Sequence, residues 1–468
     1  MAEAGVQGRI GPRLVGLFLL VAAVVASYRA GFRVFFVNED FTWLWRCRAS
    51  GAIEWLRLLT SDVMEGSYSW RPLVQVAFAL QDAGFGWNPT PLRWQAVAWH
   101  VLASGALYLW LAARLGPIPA MAGTCLFAIH PLQVESLVWA SALGGPMTTA
   151  LLTLALIVAL SSRLWIVSGV LMLLALAAHE SALLALLLLP AAWLLMGQCG
   201  VQSRVRAAHL GAFAAAAALF FGLRFVASPA HLAPPASAPH WFARSGAGDA
   251  LLIMAERLAR ATAAVAGGES LALGLAIWAL LLALGLWSWW QREGLALWGL
   301  LWFALALLPY TGTWFGLAPR YFHLALVGFG IVVAAAVANL IRGPTTSRAA
   351  IALPVAACVL LAWVAIWQPA IARELDRWWL RGERTRQLLV EVKTLVPEVQ
   401  PGERFAFSGL GELRMHDGVF VFGLDDALRL LYREPTLQVE FVPLGTKADA
   451  RVHLQYLHGH LWRAGGAP

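Results

Sequence analysis

Most of this chain is one apolar residue after another, with neither the alternation of a half-buried strand nor the one-sided period of a surface helix. Runs of the length a helix needs to cross a bilayer, about 20 residues, fall near 13–37, 92–114, 118–138, 146–162, 164–180, 181–198, 207–227, 270–290, 295–311, 320–341 and 349–369. The pattern predicts about eleven membrane-crossing helices, with tight turns where runs nearly touch at Ser161–Leu164 and Ala178–Ser181. Arg9 and Arg13 precede the first run as they would in a signal peptide. Its apolar character continues to Val37 with no small-residue cleavage site, so it reads as a retained helix.

Three regions break the pattern. Residues 38–91 form a first outer loop with amphipathic stretches at 52–60 and 70–86; its Trp43, Trp45, Trp55, Trp70 and Trp87 suit an interfacial position. Residues 228–269 form a second outer segment, Pro-rich at 229–239 and helix-like over Asp249–Ala266. From 370 onward the chain is polar. There, strand-like runs at Arg404–Phe407, Val419–Phe422, Gln438–Val442 and Arg451–Tyr456 flank a helical run at Asp425–Tyr432. The predicted architecture is an all-α polytopic membrane domain over 1–370 and a small α/β extracytoplasmic domain over 371–468.

Composition sharpens this reading. Only 13% of the 468 residues are charged and 60% are hydrophobic, against roughly 25% charged in an ordinary soluble domain; mean hydropathy is +0.68. A soluble enzyme and a disordered chain are both excluded. The net charge of +8 acts as a topology signal, since no basic run interleaves with aromatics as nucleic-acid binding needs. With the N-terminus inside, the inner loops hold Arg114, Arg163, Arg204, Arg206, Arg292, Arg342 and Arg348. An odd number of spans then puts the tail on the far side. Cys47, Cys125, Cys199 and Cys358 are scattered, with neither disulfide nor metal spacing.

Ionisable residues at the outer ends of spans are costly and are functional candidates by default. Four clusters qualify. Glu39 and Asp40 leave the first span together, suited to a general base or a cation site, or simply to a hydrated helix end. Arg71 stands before Pro72, where it suits a phosphate, a pairing with Glu39 or Asp40, or a snorkelling anchor. His130-Pro131 with Glu135 and Trp139 orients an acid toward a cavity or stabilises a kink, and His179-Glu180-Ser181 repeats the theme. Arg320 enters the tenth span after a Gly-, Pro- and aromatic-rich connection, as a phosphate clamp or a headgroup anchor. No GxGxxG, Walker, HExxH or GxSxG motif is present.

Together, the acidic pair, "WRPL", "FAIHPLQVESLVWASALGG", "AHESALLALLLLP" and "LLPYTGTWFGLAPRYFHLALVGFG" resemble GT-C glycosyltransferases. The likeness is nearest to the transmembrane O-mannosyltransferases that carry tetratricopeptide repeats and to their bacterial relatives, and it covers about residues 10–370. It implies transfer of a sugar from a polyprenyl-phosphate donor to a protein, glycan or lipid acceptor on the outer face, with inversion in one in-line displacement. Carried over by position, Asp40 matches the catalytic base with Glu39 beside it. Arg320 and Arg71 match donor-phosphate residues; His130, Glu135, His179 and Glu180 match supporting positions. Several positions depart from the family. Ala318-Pro319 replaces an acid before Arg320, and His323 replaces a Tyr. His179 replaces a Lys, and the uncharged stretch from Ala142 to Pro146 replaces a charged one.

The expectation is a multi-pass enzyme of a bacterial inner membrane, N-terminus cytoplasmic, needing no cofactor beyond an optional divalent cation. Its partners would be the lipid-linked donor, the acceptor, membrane lipids and other membrane subunits, with no nucleic acid. Two other classes compete. The missing charges after Trp139 and around 318–323 favour a non-catalytic GT-C-like scaffold subunit. A transporter would need Gly/Pro-broken spans in matched halves, which the sequence lacks.

Overall fold

The computed structural model describes residues 2–63, 70–197, 202–227, 247–268, 270–290, 293–311, 317–341, 348–411, 419–446 and 450–464. Cys199, Arg292, Arg342 and the Pro-rich stretch 229–239 lie outside them. Among the described residues, seven helices are long and apolar enough to cross a membrane and four more are shorter and apolar. They sit at the eleven predicted places.

In chain order the helices are α1 (Ala2–Tyr28), α2 (Asp40–Arg46), α3 (Ala52–Thr60), α4 (Pro72–Phe85), α5 (Thr90–Leu115) and α6 (Pro117–Ala128). There follow α7 (Val134–Val138), α8 (Gly144–Ser161), α9 (Trp165–Ala178), α10 (Ala185–Leu195), α11 (Ser203–Ala227) and α12 (Ala247–Val265). The last are α13 (Leu271–Trp290), α14 (Leu295–Thr311), α15 (Phe322–Ile341), α16 (Arg348–Leu395) and α17 (Leu424–Tyr432). Two boundaries differ from the hydropathy pattern. The run 118–138 stops being helical at Ala128, because Pro131 cannot supply an N–H to continue the ladder. The last apolar run does not end at 369: Pro369 is absorbed, and α16 continues with a polar sequence to Leu395.

The chain divides into two compact units. One comprises residues 1–29, 95–137 and 142–372 and holds the apolar helices from α6 onward. Its centre is α15, which packs on α6 and α14. Glycines let these backbones meet. A Cβ on Gly123 of α6 would lie 2.1 Å from the Gly330 carbonyl, and one on Gly328 would lie 2.5 Å from the Gly299 carbonyl of α14. Small residues at crossings are how helices approach closely where lipid removes the hydrophobic drive.

The second unit comprises residues 30–94, 138–141 and 373–468. The first outer loop therefore groups with the tail, not with the membrane helices as a division at 370 implied. The contacts explain it: Val421 N–H donates to the Asn38 side-chain oxygen at 2.9 Å, and Phe41 stacks on Phe420 with ring centroids 5.5 Å apart. A four-stranded sheet, in the order β2-β1-β3-β4, is built from β1 (Arg404–Ser408), β2 (Gln438–Val442), β3 (Val452–Leu457) and β4 (His460–Arg463). β1 pairs parallel with β2 and β3, and β3 antiparallel with β4. The predicted strand at Val419–Phe422 is instead a bend. Phe420 adopts a left-handed φ of 50° to reach Phe41, which no strand allows.

Candidate active site

The acidic pair is delivered by a short irregular exit from the first span. A 3-10 turn over Arg29–Arg33 leads into extended backbone; Asn38 then takes φ 51°, a conformation Asn tolerates, and Asp40 begins α2. Asp40 is wholly buried. Its Oδ1 accepts the Ser141 N–H at 2.8 Å and the Ser141 hydroxyl at 2.6 Å, while its Oδ2 accepts the Val37 N–H at 3.1 Å.

The cation facing it is Arg93, with Nη2 3.6 Å from Oδ2. Arg93 lies in the first turn of α5, is 1% exposed, and donates Nη2 to the Phe35 carbonyl at 3.3 Å. Its guanidinium also lies 5.7 Å from the Phe36 ring centroid. Burial pushes the Asp40 carboxyl above the ordinary carboxylate range, opposed by Arg93 and by the Ser141 and Val37 bonds. Arg71 is half-buried at the N-cap position of α4, where its side chain makes no capping hydrogen bond. Glu39, the residue before α2, is half-exposed. A groove of about 420 Å³, within the ligand-sized range, is lined by Phe35, Trp87, Leu389 and Leu431 together with Arg386 and Lys393.

In the membrane unit the structure brings Glu135 and Arg320 together. Arg320 Nη1 donates to Glu135 Oε1 at 2.5 Å and Nη2 donates to the Tyr321 hydroxyl at 3.1 Å. The Arg320 side chain is 29% exposed and that of Glu135 11%. Tyr321 stacks on Tyr310 at 4.0 Å, and the Ser136 hydroxyl donates to the Arg320 carbonyl at 3.3 Å. Glu135, which ends the HPxxxE segment, and the Ser136 that follows it thus hold the Arg320 turn, the first at its guanidinium and the second at its carbonyl.

The histidines do a different job. His130 Nδ1 accepts the Leu132 N–H at 3.2 Å, capping a 3-10 turn, while Nε2 faces the Val265 carbonyl at 3.0 Å. Its backbone N–H and carbonyl both bond the Tyr28 hydroxyl at 3.0 Å. His179 Nδ1 likewise accepts the Ser181 N–H at 3.1 Å to cap Glu180–Leu184, with Glu180 Oε2 3.8 Å away. A lysine cannot accept that N–H, which gives His179 a local reason to be there. Among the described residues, no three His, Cys, Asp or Glu side chains gather as a metal needs.

Sequence reasoning missed Arg93 and Ser141. Arg93 carried a signal, a guanidinium inside an apolar run, which lipid tolerates only with a partner. Ser141 carried none.

No family model matches the chain, and no curated protein matches it. Solved structures do. ArnT from Cupriavidus metallidurans in its apo state, a GT-C glycosyltransferase, superposes with a TM-score of 0.53 at 13% identity, over 94% of this chain and 86% of that one. The same protein bound to undecaprenyl phosphate superposes with a TM-score of 0.52 at 14% identity, over 92% and 86%. This chain is a multi-pass membrane protein that shares the fold of these solved structures.

Proposed function

We propose that this protein transfers a sugar from a polyprenyl-phosphate donor to an acceptor hydroxyl at the outer membrane face. The observation that carries this reading is the Arg320–Glu135 pair at the start of an apolar helix in a GT-C fold. A part-exposed guanidinium held by a carboxylate exchanges that carboxylate for a phosphate without leaving a bare charge in the membrane. The ArnT structure with undecaprenyl phosphate supports a lipid phosphate as the ligand of this fold.

The roles follow from accessibility. Both Asp40 oxygens are taken up by donors inside the protein, so Asp40 anchors the loop and Glu39, the half-exposed neighbour, serves as base. The acceptor hydroxyl loses its proton to a carboxylate base as its oxygen attacks the anomeric carbon. The bond from that carbon to the phosphate oxygen breaks, the electron pair leaves with the phosphate, and Arg320 stabilises the charge. A single displacement of this kind inverts the anomeric centre.

The test is purified protein in detergent with a synthetic undecaprenyl-phosphate sugar and a panel of acceptors, read by product mass. Donor-dependent product lost in Arg320→Ala supports the reading. Donor binding without turnover for any sugar and acceptor in the panel moves it to the non-catalytic subunit, which the occupied state of Asp40 favours.

A further inference from the structure

The tenth span contains a second buried polar assembly. His323 lies in the first turn of α15, three residues after Arg320. Its Nε2 lies 3.1 Å from His100 Nδ1 on α5, and its Nδ1 lies 2.9 Å from the Thr149 hydroxyl on α8. His100 Nε2 lies 2.9 Å from the carbonyl of Ala128, the last residue of α6. All three side chains are buried. Four helices therefore meet through one line of hydrogen bonds.

The direction of that line is fixed. A carbonyl only accepts, so His100 carries its proton on Nε2 and offers a lone pair at Nδ1. His323 Nε2 must then donate to it, which leaves His323 Nδ1 to accept from the Thr149 hydroxyl. Each neutral ring has one allowed tautomer, and reversing either sets two lone pairs or two N–H groups face to face. Two apolar residues would fill this space without such a demand. What the polar line adds is a unique rotation and height for the first turn of α15 against α5, α6 and α8.

We propose that His323, with His100 and Thr149, is a positioning device that fixes the Arg320 turn for donor phosphate. Arg320 is held at its carbonyl by Ser136 and at its guanidinium by Glu135, and His323 holds the helix one turn further on. Its effect on ligand rests on the proposed donor role of Arg320; its effect on the turn itself does not.

The experiment uses the full chain in detergent with undecaprenyl phosphate as probe. Variants are His323→Phe, His323→Gln, Thr149→Val and Arg320→Ala, with His323→Phe also combined with Arg320→Ala. Elution as one species confirms folding. His323→Phe should weaken probe binding roughly tenfold, the effect expected of an unsatisfied buried hydrogen bond. His323→Gln should recover most of it, because the amide both donates to His100 and accepts from Thr149. In the Arg320→Ala background, His323→Phe should cost nothing further, which a general packing defect would not obey.

Amide exchange over 317–327 is read alongside, without ligand, and should speed up in His323→Phe and Thr149→Val but not in His323→Gln. Unchanged exchange, equal behaviour of Phe and Gln, or additive binding losses would each overturn the positioning role. Absence of probe binding in the wild type with the exchange pattern intact defeats the donor reading and leaves the positioning of the turn standing.

Discussion

Ser141 gives Asp40 two hydrogen bonds at once, its N–H at 2.8 Å and its hydroxyl at 2.6 Å, both to the same oxygen. A carboxylate gripped in this way, with Arg93 on its other side, is an anchor. Its neighbour Glu39 is half-exposed.

Removing the anchor's cation should cost more than removing the pair. Arg93→Met leaves a buried, uncompensated carboxylate, at a cost of about 3–5 kcal/mol. Arg93→Met combined with Asp40→Asn should recover at least half of that loss. Chemical unfolding of the three proteins decides it; additive losses would show that the pair is not coupled.

The two acids should fail differently. Glu39→Gln should lower kcat by about 10²–10⁴, the usual worth of a general base, with little change in unfolding midpoint. Asp40→Asn should lower activity and stability together. Rates that survive Glu39→Gln return the base to Asp40.

Mild acid should stabilise the fold through Asp40. Burial raises the Asp40 carboxyl above the ordinary range, so as pH falls this group gains its proton sooner than a solvated aspartate would. Because the folded value is the higher one, its contribution to stability is lost as pH rises through that window, not as pH falls. The unfolding midpoint should therefore rise as pH falls through that window, above the ordinary carboxylate range, and this rise should be absent in Asp40→Asn; a midpoint that stays flat there in the wild type would overturn it.

Glu135 should compete with donor phosphate for Arg320. Glu135→Gln should tighten undecaprenyl phosphate binding several-fold, Arg320→Ala should weaken it at least tenfold, and Arg320→Lys should restore only part because the planar fork is lost. Equal binding in wild type, Arg320→Ala and Arg320→Lys would make Arg320 a headgroup anchor.

Orientation is testable by labelling. In a Cys358→Ala background, Gln400→Cys, which is exposed, should react with an impermeant maleimide from outside, and the exposed Ser203→Cys should react only after permeabilisation. The reverse pattern inverts the topology.

Hydropathy made the apolar helices legible because span length is a one-dimensional property, set by the membrane's thickness. The first turns of the site were legible for the same reason: Arg320 and Asp40 stand where an apolar run begins or ends. Their partners were not. Asp40 meets Ser141 from 101 positions away, Arg320 meets Glu135 from 185, and His100 meets His323 from 223, and nothing in a local window encodes such pairings. Strand β4 was missed for a local reason. His458 and Gly459, with φ of 50° and 89°, turn the chain back on itself within a sequence that reads as polar tail.

The glycine crossings of α15 carry a mechanical consequence. Gly330 meets Gly123 on α6, and Gly328 meets Gly299 on α14, backbone against backbone. Rolling α15 about its axis would carry Cβ atoms into spaces that hold only hydrogens, and tilting it would open voids on both flanks at once. The helix that follows the Arg320 turn is therefore closely seated against two neighbours at once. A carrier that alternates access needs one group of helices to rock against another, and here two of the neighbours are pinned to the same beam. On the proposed donor role of Arg320, a lipid-linked substrate would be admitted by helices that lack such seams and would meet a guanidinium whose position was set before it came.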